Sequence, residues 1–395
     1  MRASRSLAVA CLVVAGTICA AQASEFRTMG PRALSMGGAA VACPAPAYAA
    51  YYNPAALGLD DRGAFDIALG FNIRDTGLTE HLDPLSSYDW NTAIDNPQGP
   101  DAAAIITELR TIKSTDALMI MPAGAIGLRI GSFAGGVFPS AQIVAYGHLD
   151  TVHLNKTSPL DDPNSFAFNS STLYAQGLGL VEVPLAYGHA FKMGESGTVS
   201  VGGALKFIEG ATYDIRQGIL ITSDSEQLRK KLEDGSEISA GFGVDLGVIY
   251  RTAGDGLSLG LLARNANSPA FVTATGASFA EDAQIRAGAA YNITKQLLVA
   301  LDIDVTANKT LIPGYNSRQI SAGIGYEGSI GSIRAGLMKN VEGDGAPIAW
   351  SLGLSLGGET FHLDLAGSVA SSWQKYDDYN FPVEGGFTLA LGGGW

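Results

Sequence analysis

The side chains best suited to acid–base or metal chemistry at neutral pH are five histidines, His81, His148, His153, His189 and His362. They are scattered. His148 and His153 share a loop edge, but a five-residue spacing without neighbouring ligands is no metal motif, and solvated loop histidines account for them. No motif sets a nucleophile beside a base, so a Ser–His hydrolase has no signature here. Gly37-Gly38 lacks the strand, helix and basic partner of a phosphate loop. Asp161-Asp162 and Asp377-Asp378 could hold a cation weakly, but read better as solvated loop carboxylates. Three cysteines occur, of which Cys11 and Cys19 lie in an export signal, leaving Cys43 alone. The expectation is a non-enzyme with no metal and no cofactor.

The elements that carry these residues point to a membrane wall. Arg2 and Arg5 precede the apolar run Leu7 to Ala20, and Ala21-Gln22-Ala23 offers a small-residue cleavage site. Residues 1–23 therefore read as a signal peptide. No later run of about 18 uncharged apolar residues exists, so a helical span is not expected. A net charge of −13 leaves no basic stripe for nucleic acid. Fifty glycines without a triplet period fit a strongly twisted sheet.

Apolar residues recur at one parity through segment after segment. Phe65, Ile67, Leu69, Phe71 and Ile73 do so, as do Leu297, Val299, Leu301, Ile303 and Val305. The opposite parity carries Asp66, Arg129, Glu182, Lys206, Asp245, Arg264, Arg286, Asp302, Asp304, Arg334 and Asp364. Period two with lipid outside and polar groups inside is the pattern of a transmembrane β-barrel. A soluble sandwich also alternates, but aromatics at strand ends favour membrane interfaces. Phe133, Phe191, Tyr250, Tyr291, Tyr326, Phe361 and Trp395 would form one girdle, and Phe71, Phe207, Trp350 and Phe387 the other. Six short links alternate with seven long ones, near 74–122, 146–172, 209–236, 265–282, 306–317, 340–348 and 370–384. The expectation is an all-β antiparallel barrel of about 14 strands over residues 63–395.

Two loops carry helical patches. Ile105, Ile106, Leu109 and Ile112 share one face of Asp101–Lys113. They either pack on the barrel mouth or capture a hydrophobic ligand. Ser225–Asp234, with Glu226, Arg229, Lys230, Lys231, Glu233 and Asp234, reads as a solvated helix held by charge pairs. At the chain's end Phe387, Leu389, Leu391 and Trp395 share a parity and fit a recognition signal for the barrel-assembly machinery, with Gly393 interrupting the series.

Residues 24–62 are built differently, from small residues and a turn-forming Asn53-Pro54. They are too few for a core of their own and would fold against the lumen as a plug. Arg32-Ala33-x-x-Met36-Gly37-Gly38-Ala39, followed by Tyr51-Tyr52-Asn53-Pro54-Ala55-x-Leu57, resembles the plug signature of the FadL-type outer-membrane family. That family includes long-chain fatty-acid and aromatic-hydrocarbon transporters. The same segment is similar to PorV-type secretion proteins and to barrels named TraF. Many relatives carry acidic residues between the two halves of the motif, whereas this chain has Cys43-Pro44-Ala45-Pro46. The resemblance implies fourteen strands around the plug, an outer-membrane location surrounded by lipid, and passive uptake of a hydrophobic small molecule. Asn53, Pro54 and Ala55 would form a turn in the gate, and Phe26 and Met36 would line the ligand site. The other implied role is a secretion or conjugation component that holds a protein partner without transport.

Overall fold

A sheet in lipid must satisfy every backbone group within itself, and closure is the way to do so. The computed structural model describes residues 25–96, 98–154, 169–218, 236–254, 256–272, 278–343, 345–358, 360–376 and 378–395. The signal stretch 1–23, the charged loop Ser225–Asp234, Asp161-Asp162 and Asp377 lie outside them. Fourteen antiparallel strands close in sequence order into one barrel. They are β1 (Gly63–Asp75), β2 (Ala117–Ile130), β3 (Phe133–His148), β4 (Thr172–Lys192), β5 (Thr198–Gly218), β6 (Ser236–Arg251) and β7 (Leu257–Arg264). There follow β8 (Gln284–Asn292), β9 (Leu297–Asp304), β10 (Gln319–Glu327), β11 (Gly331–Asn340), β12 (Ile348–Gly357), β13 (His362–Ala370) and β14 (Glu384–Gly394). The seam pairs β1 with β14 from Ala64 opposite Gly394 to Arg74 opposite Glu384.

The parity read from sequence is the parity of the wall. All eleven charged residues assigned inward are buried, whereas Leu69 and Leu301 are 71% and 58% exposed on the outer face. Short turns lie at one end and long loops at the other. Strand ends differ from the sequence reading where alternation fails. β2 begins at Ala117, not near 124, because Ala117, Met119 and Met121 are apolar although they face inward. β5 runs to Gly218 through Glu209–Gly218, a polar stretch that leaves the apolar band and stays paired with β4. At about 3.3 Å per residue, the 21-residue strands β4 and β5 exceed the 9–11 residues of a tilted span and project beyond it.

Inside the turn half of the barrel sits the N-terminal segment. It forms α1 (Pro31–Ser35), two 3₁₀ turns and α2 (Ala49–Tyr52), and is buried almost throughout from Glu25 to Leu57. Wall strands hold it from all sides. Ser200 of β5 donates to Ala55 O at 2.6 Å, and Asn53 Nδ2 donates to Leu261 O of β7 at 3.4 Å. Asp302 of β9 accepts from the Ala40 and Val41 amides at 2.8 and 3.0 Å, and the Gly37 amide donates to Ser351 Oγ of β12 at 3.1 Å.

Glycine makes this fit possible. A Cβ on inward-facing Gly188, Gly260, Gly323 or Gly353 would stand 2.5–2.9 Å from Pro54, Val41, Met36 or Ser35 respectively. Many of the fifty glycines thus let the backbone of the inner segment approach the wall, besides easing sheet twist. Gly37, at φ 68°, also needs the left-handed conformation, and a Cβ there would collide with the Leu337 backbone.

Candidate functional site

The five residues expected in a gate or ligand site are packed within the inner segment. Phe26 is 3% exposed, with the guanidinium carbons of Arg264 and Arg286 at 5.3 and 4.6 Å from its ring centre. Met36 packs with Ala39, Ala42, Ala290 and Ala300. Asn53 is fully buried. Its Oδ1 accepts from the Ala55 amide at 3.1 Å and its Nδ2 donates to Val41 O at 3.0 Å, which ties the second half of the sequence motif to the stretch that follows the first. Pro54 and Ala55 rest on Gly188 and Gly202 of the wall. The tyrosines of the motif work in the same way. Tyr51 donates to Arg27 O at 3.0 Å and Tyr52 to Met29 O at 2.8 Å. Burial pushes both phenols up, so they remain protonated donors.

A belt of ion pairs surrounds this segment. Lys206 Nζ lies 2.9 Å from Glu182 and 3.0 Å from Asp245, and Arg264 reaches the other Glu182 oxygen. Arg286 pairs with Asp304 at 3.1 Å, and Arg74 bridges Glu25 and Glu384 at 2.8 and 2.9 Å. Buried charges are stable only when paired in this manner. Apart from Glu25 the belt is strand-borne; Glu182, Lys206, Asp245, Arg264, Arg286 and Asp304 were legible as the polar parity, whereas Arg74, Glu384 and the pairing were not.

Towards the loop end the lumen turns apolar. Inward-facing Met119, Met121, Val144, Leu178, Leu180 and Ile208 from β2–β5 form one cluster. Phe271, Leu311 and Ile312 descend from the loops after β7 and β9 to fill it. Phe271 sits on inward Gly210, where a Cβ would come within 2.9 Å of its ring. Sequence reading missed this site. Its signal was the run Ala117–Met121, apolar at both parities, which places an apolar lumen against an apolar outer face.

The expected capture stripe has a different setting from a ligand-accessible surface. Ile105, Ile106 and Leu109 are buried on α5 (Pro100–Leu109), against α3 (Leu78–Ser87), α4 (Trp90–Asp95) and Leu154, with Ile112 half-buried beside them. They form the core of a small helical unit over the mouth. His81 ties that unit together, with ring nitrogens 2.8 Å from Glu108 and 3.3 Å from Asp116. His153 bonds Asp150 at 2.6 Å within its own loop. Among the described residues, no three His, Cys, Asp or Glu side chains gather as a metal site.

The turn end is open and charged. A cavity of about 740 Å³ lies between the inner segment and the wall, lined by Arg32, Asp66, Glu327, Arg334, His362 and Trp395 among others. A second, of about 290 Å³, is lined by Cys43, Arg62, Arg129 and Arg251. Burial pushes the Cys43 thiol up to about 12. At the seam, Trp395 and Gly63 exchange backbone hydrogen bonds at 2.9 and 3.1 Å. Phe387, Leu389 and Leu391 face outward there and are 41–43% exposed.

A closed fourteen-strand wall, filled in its turn half by the N-terminal segment and apolar in its loop half, has the fold class of the FadL-type barrels. Within that class the chain belongs to the family described as "F plasmid transfer operon, TraF, protein", whose model matches residues 50–304. Solved structures share the fold. The Ralstonia pickettii toluene transporter TbuX is 16% identical, with 93% of this chain and 99% of that one aligned at a TM-score of 0.50. The monoaromatic hydrocarbon channel CymD is 14% identical, with 94% and 98% aligned at 0.50. A Pseudomonas aeruginosa FadL homologue is 14% identical, with 93% and 98% aligned at 0.49. No curated protein sequence matches the chain.

Proposed function

We propose that the chain is exported and inserted into an outer membrane, and there admits a hydrophobic small molecule passively, with the inner segment as its plug. One observation carries this reading: a continuous cluster of large apolar side chains, Met119, Val144, Leu178, Leu180 and Ile208, lines the lumen above a charged belt. A ligand site needs an apolar interior of this kind with a few orienting polar groups. Solutes enter from the loop end, displace Phe271, Leu311 and Ile312, and leave towards the turn-end cavities when the plug shifts. The neighbours named for toluene and monoaromatic hydrocarbons support a hydrophobic cargo. The family match to a transfer-operon protein favours a second reading, a conjugation or secretion component that holds a protein partner.

A lock on the plug separates the two. Cys43 and Leu298 of β9 pack against one cluster and line one cavity, so Leu298→Cys is the disulfide partner to try. Cells carrying the oxidised variant should accumulate little labelled fatty acid or alkyl-aromatic, and reduction should restore uptake. Equal uptake by locked, reduced and deleted strains, with a partner recovered by crosslinking, would move the assignment to the second reading.

A further inference from the structure

Deep in the barrel, single cations meet two carboxylates each. Lys206 contacts Glu182 and Asp245, Arg286 contacts Asp302 and Asp304, and Arg74 contacts Glu25 and Glu384. At the turn end the ratio is reversed. One oxygen of Asp60 faces both Arg62 and Arg129, at 3.2 and 2.6 Å. One oxygen of Glu327 likewise faces Arg32 and Arg334, at 3.1 and 3.2 Å. Arg251 has no carboxylate partner among the described residues, and its Nε donates to the neutral Ser258 hydroxyl at 3.3 Å. Asp61, next in sequence to Asp60, is exposed. Five arginines thus have two carboxylates between them, in a chain whose formal net charge is −13.

Four of the five border one space. Arg32, Arg62, Arg129 and Arg251 line the turn-end cavity of about 290 Å³, and Asp60 is the single carboxylate among its described lining residues. Arg32 comes from α1, Arg62 from the link before β1, Arg129 from β2 and Arg251 from β6. The inner segment and the wall therefore face each other across this cavity with like charge. Protein walls of low dielectric focus that field into the cavity and raise the local concentration of anions. Guanidinium is weakly hydrated and presents its N–H donors as a fork that matches phosphate oxygens. A phosphate group carries nearly two negative charges and three acceptor oxygens, so it can meet guanidinium groups arriving from several elements at once. A planar carboxylate, with one charge and two oxygens, answers less of the excess.

We propose that this turn-end cavity is a binding site for a dianionic phosphate group, held between Arg32 and Arg62 of the N-terminal segment and Arg129 and Arg251 of the wall. The site lies at the opposite end of the barrel from the apolar cluster and is independent of what the lumen carries. Inorganic phosphate and the phosphate monoester of a lipid headgroup share the chemistry it recognises. Bound phosphate bridges α1 to β2 and β6, so occupancy holds the inner segment against the wall. Cys43 lines the same cavity and belongs to that segment, so its thiol reports both occupancy and detachment.

The test uses the full-length mature protein in maltoside micelles above neutral pH, in phosphate-free buffer of fixed ionic strength. Binding of radiolabelled inorganic phosphate is measured by equilibrium dialysis, and maleimide labelling of Cys43 is followed in parallel. Phosphate should bind saturably and slow the labelling several-fold, with one half-saturation point for both. Acetate and chloride at equal ionic strength should do neither. Arg251→Gln should weaken phosphate binding by roughly tenfold or more, the order expected when hydrogen bonds to a charged partner are lost. Arg251→Lys should recover part of that affinity. Arg251 joins no carboxylate, so its replacement leaves the ion pairs of the turn end in place. Arg62→Gln, at an exposed position, should weaken binding as well and keeps the test valid if one variant assembles poorly. Dihexanoyl phosphatidate distinguishes the sources: if it displaces the labelled phosphate, the site takes a lipid headgroup, and if it does not, the site takes the free anion. Absence of saturable phosphate binding by wild type would overturn the proposal. So would equal protection of Cys43 by acetate, or phosphate affinity unchanged in both arginine variants.

Discussion

Asp302 is one of the side chains that hold the inner segment to the wall. One of its carboxylate oxygens accepts from the amides of Ala40 and Val41, at 2.8 and 3.0 Å, in a position that is 3% exposed. Hydrogen bonds to a charged group contribute roughly 1.5–3 kcal/mol each, so Asp302→Ala forfeits about 3–6 kcal/mol of anchoring. The change also removes a buried charge. Arg286 keeps Asp304 at 3.1 Å, so that removal costs little or helps. A net loss of about 3 kcal/mol raises the detached population by roughly two orders of magnitude.

Cys43, three residues beyond Ala40, reports this without a label. It is half-buried, and its thiol is pushed up to about 12. Little thiolate is therefore present near neutral pH, so maleimide should react slowly with the assembled protein. Detachment exposes the thiol and should raise its labelling rate in Asp302→Ala by up to about a hundredfold. Asp302→Asn separates the causes. It removes the charge, which also raises the thiol, but keeps an acceptor oxygen for both amides. Its labelling should rise only a few-fold. Heat-modifiable gel migration should show both variants assembled. Equal labelling of Asp302→Ala and wild type, in assembled barrels, would refute the anchoring argument.

Two further expectations follow from the same wall. Leu301→Arg puts a charge on the lipid face beside Asp302 and should impair assembly by roughly 2–4 kcal/mol, read as lost folded barrel on unheated gels; efficient assembly would mean that the register is wrong by one residue. Lys206→Met leaves Glu182 and Asp245 facing each other with Arg264 as the remaining ion-pair partner, a loss of about 3–5 kcal/mol, so the folded band should disappear at lower temperature. Adding Asp245→Asn should recover most of that loss.

The barrel was readable because its signal repeats. Lipid on one side fixes each outward residue one position at a time, so Ile67, Leu69, Leu301 and Ile303 announce the wall without knowledge of any neighbour. The Asn53-Pro54 turn was equally local. What failed was inference wherever both faces share a polarity. Met119 and Met121 face inward but look like their lipid-facing neighbours, so the start of β2 was read as loop and the apolar lumen went unseen. The stripe Ile105, Ile106 and Leu109 was correctly periodic, yet periodicity cannot say whether α3 and α4 cover it.

Sequence alone therefore determined the wall, its parity, the alternation of short and long links and the inward placement of eleven charges, because each depends on period two and the solvent beside one strand. Tertiary structure decided which of those charges meet. Glu182, Lys206, Asp245 and Arg264 come from four strands, and only barrel closure and strand stagger bring them into contact. It also decided that Asn53 binds Val41 and the wall. Such contacts join residues up to hundreds of positions apart, and no local pattern encodes the distance between them.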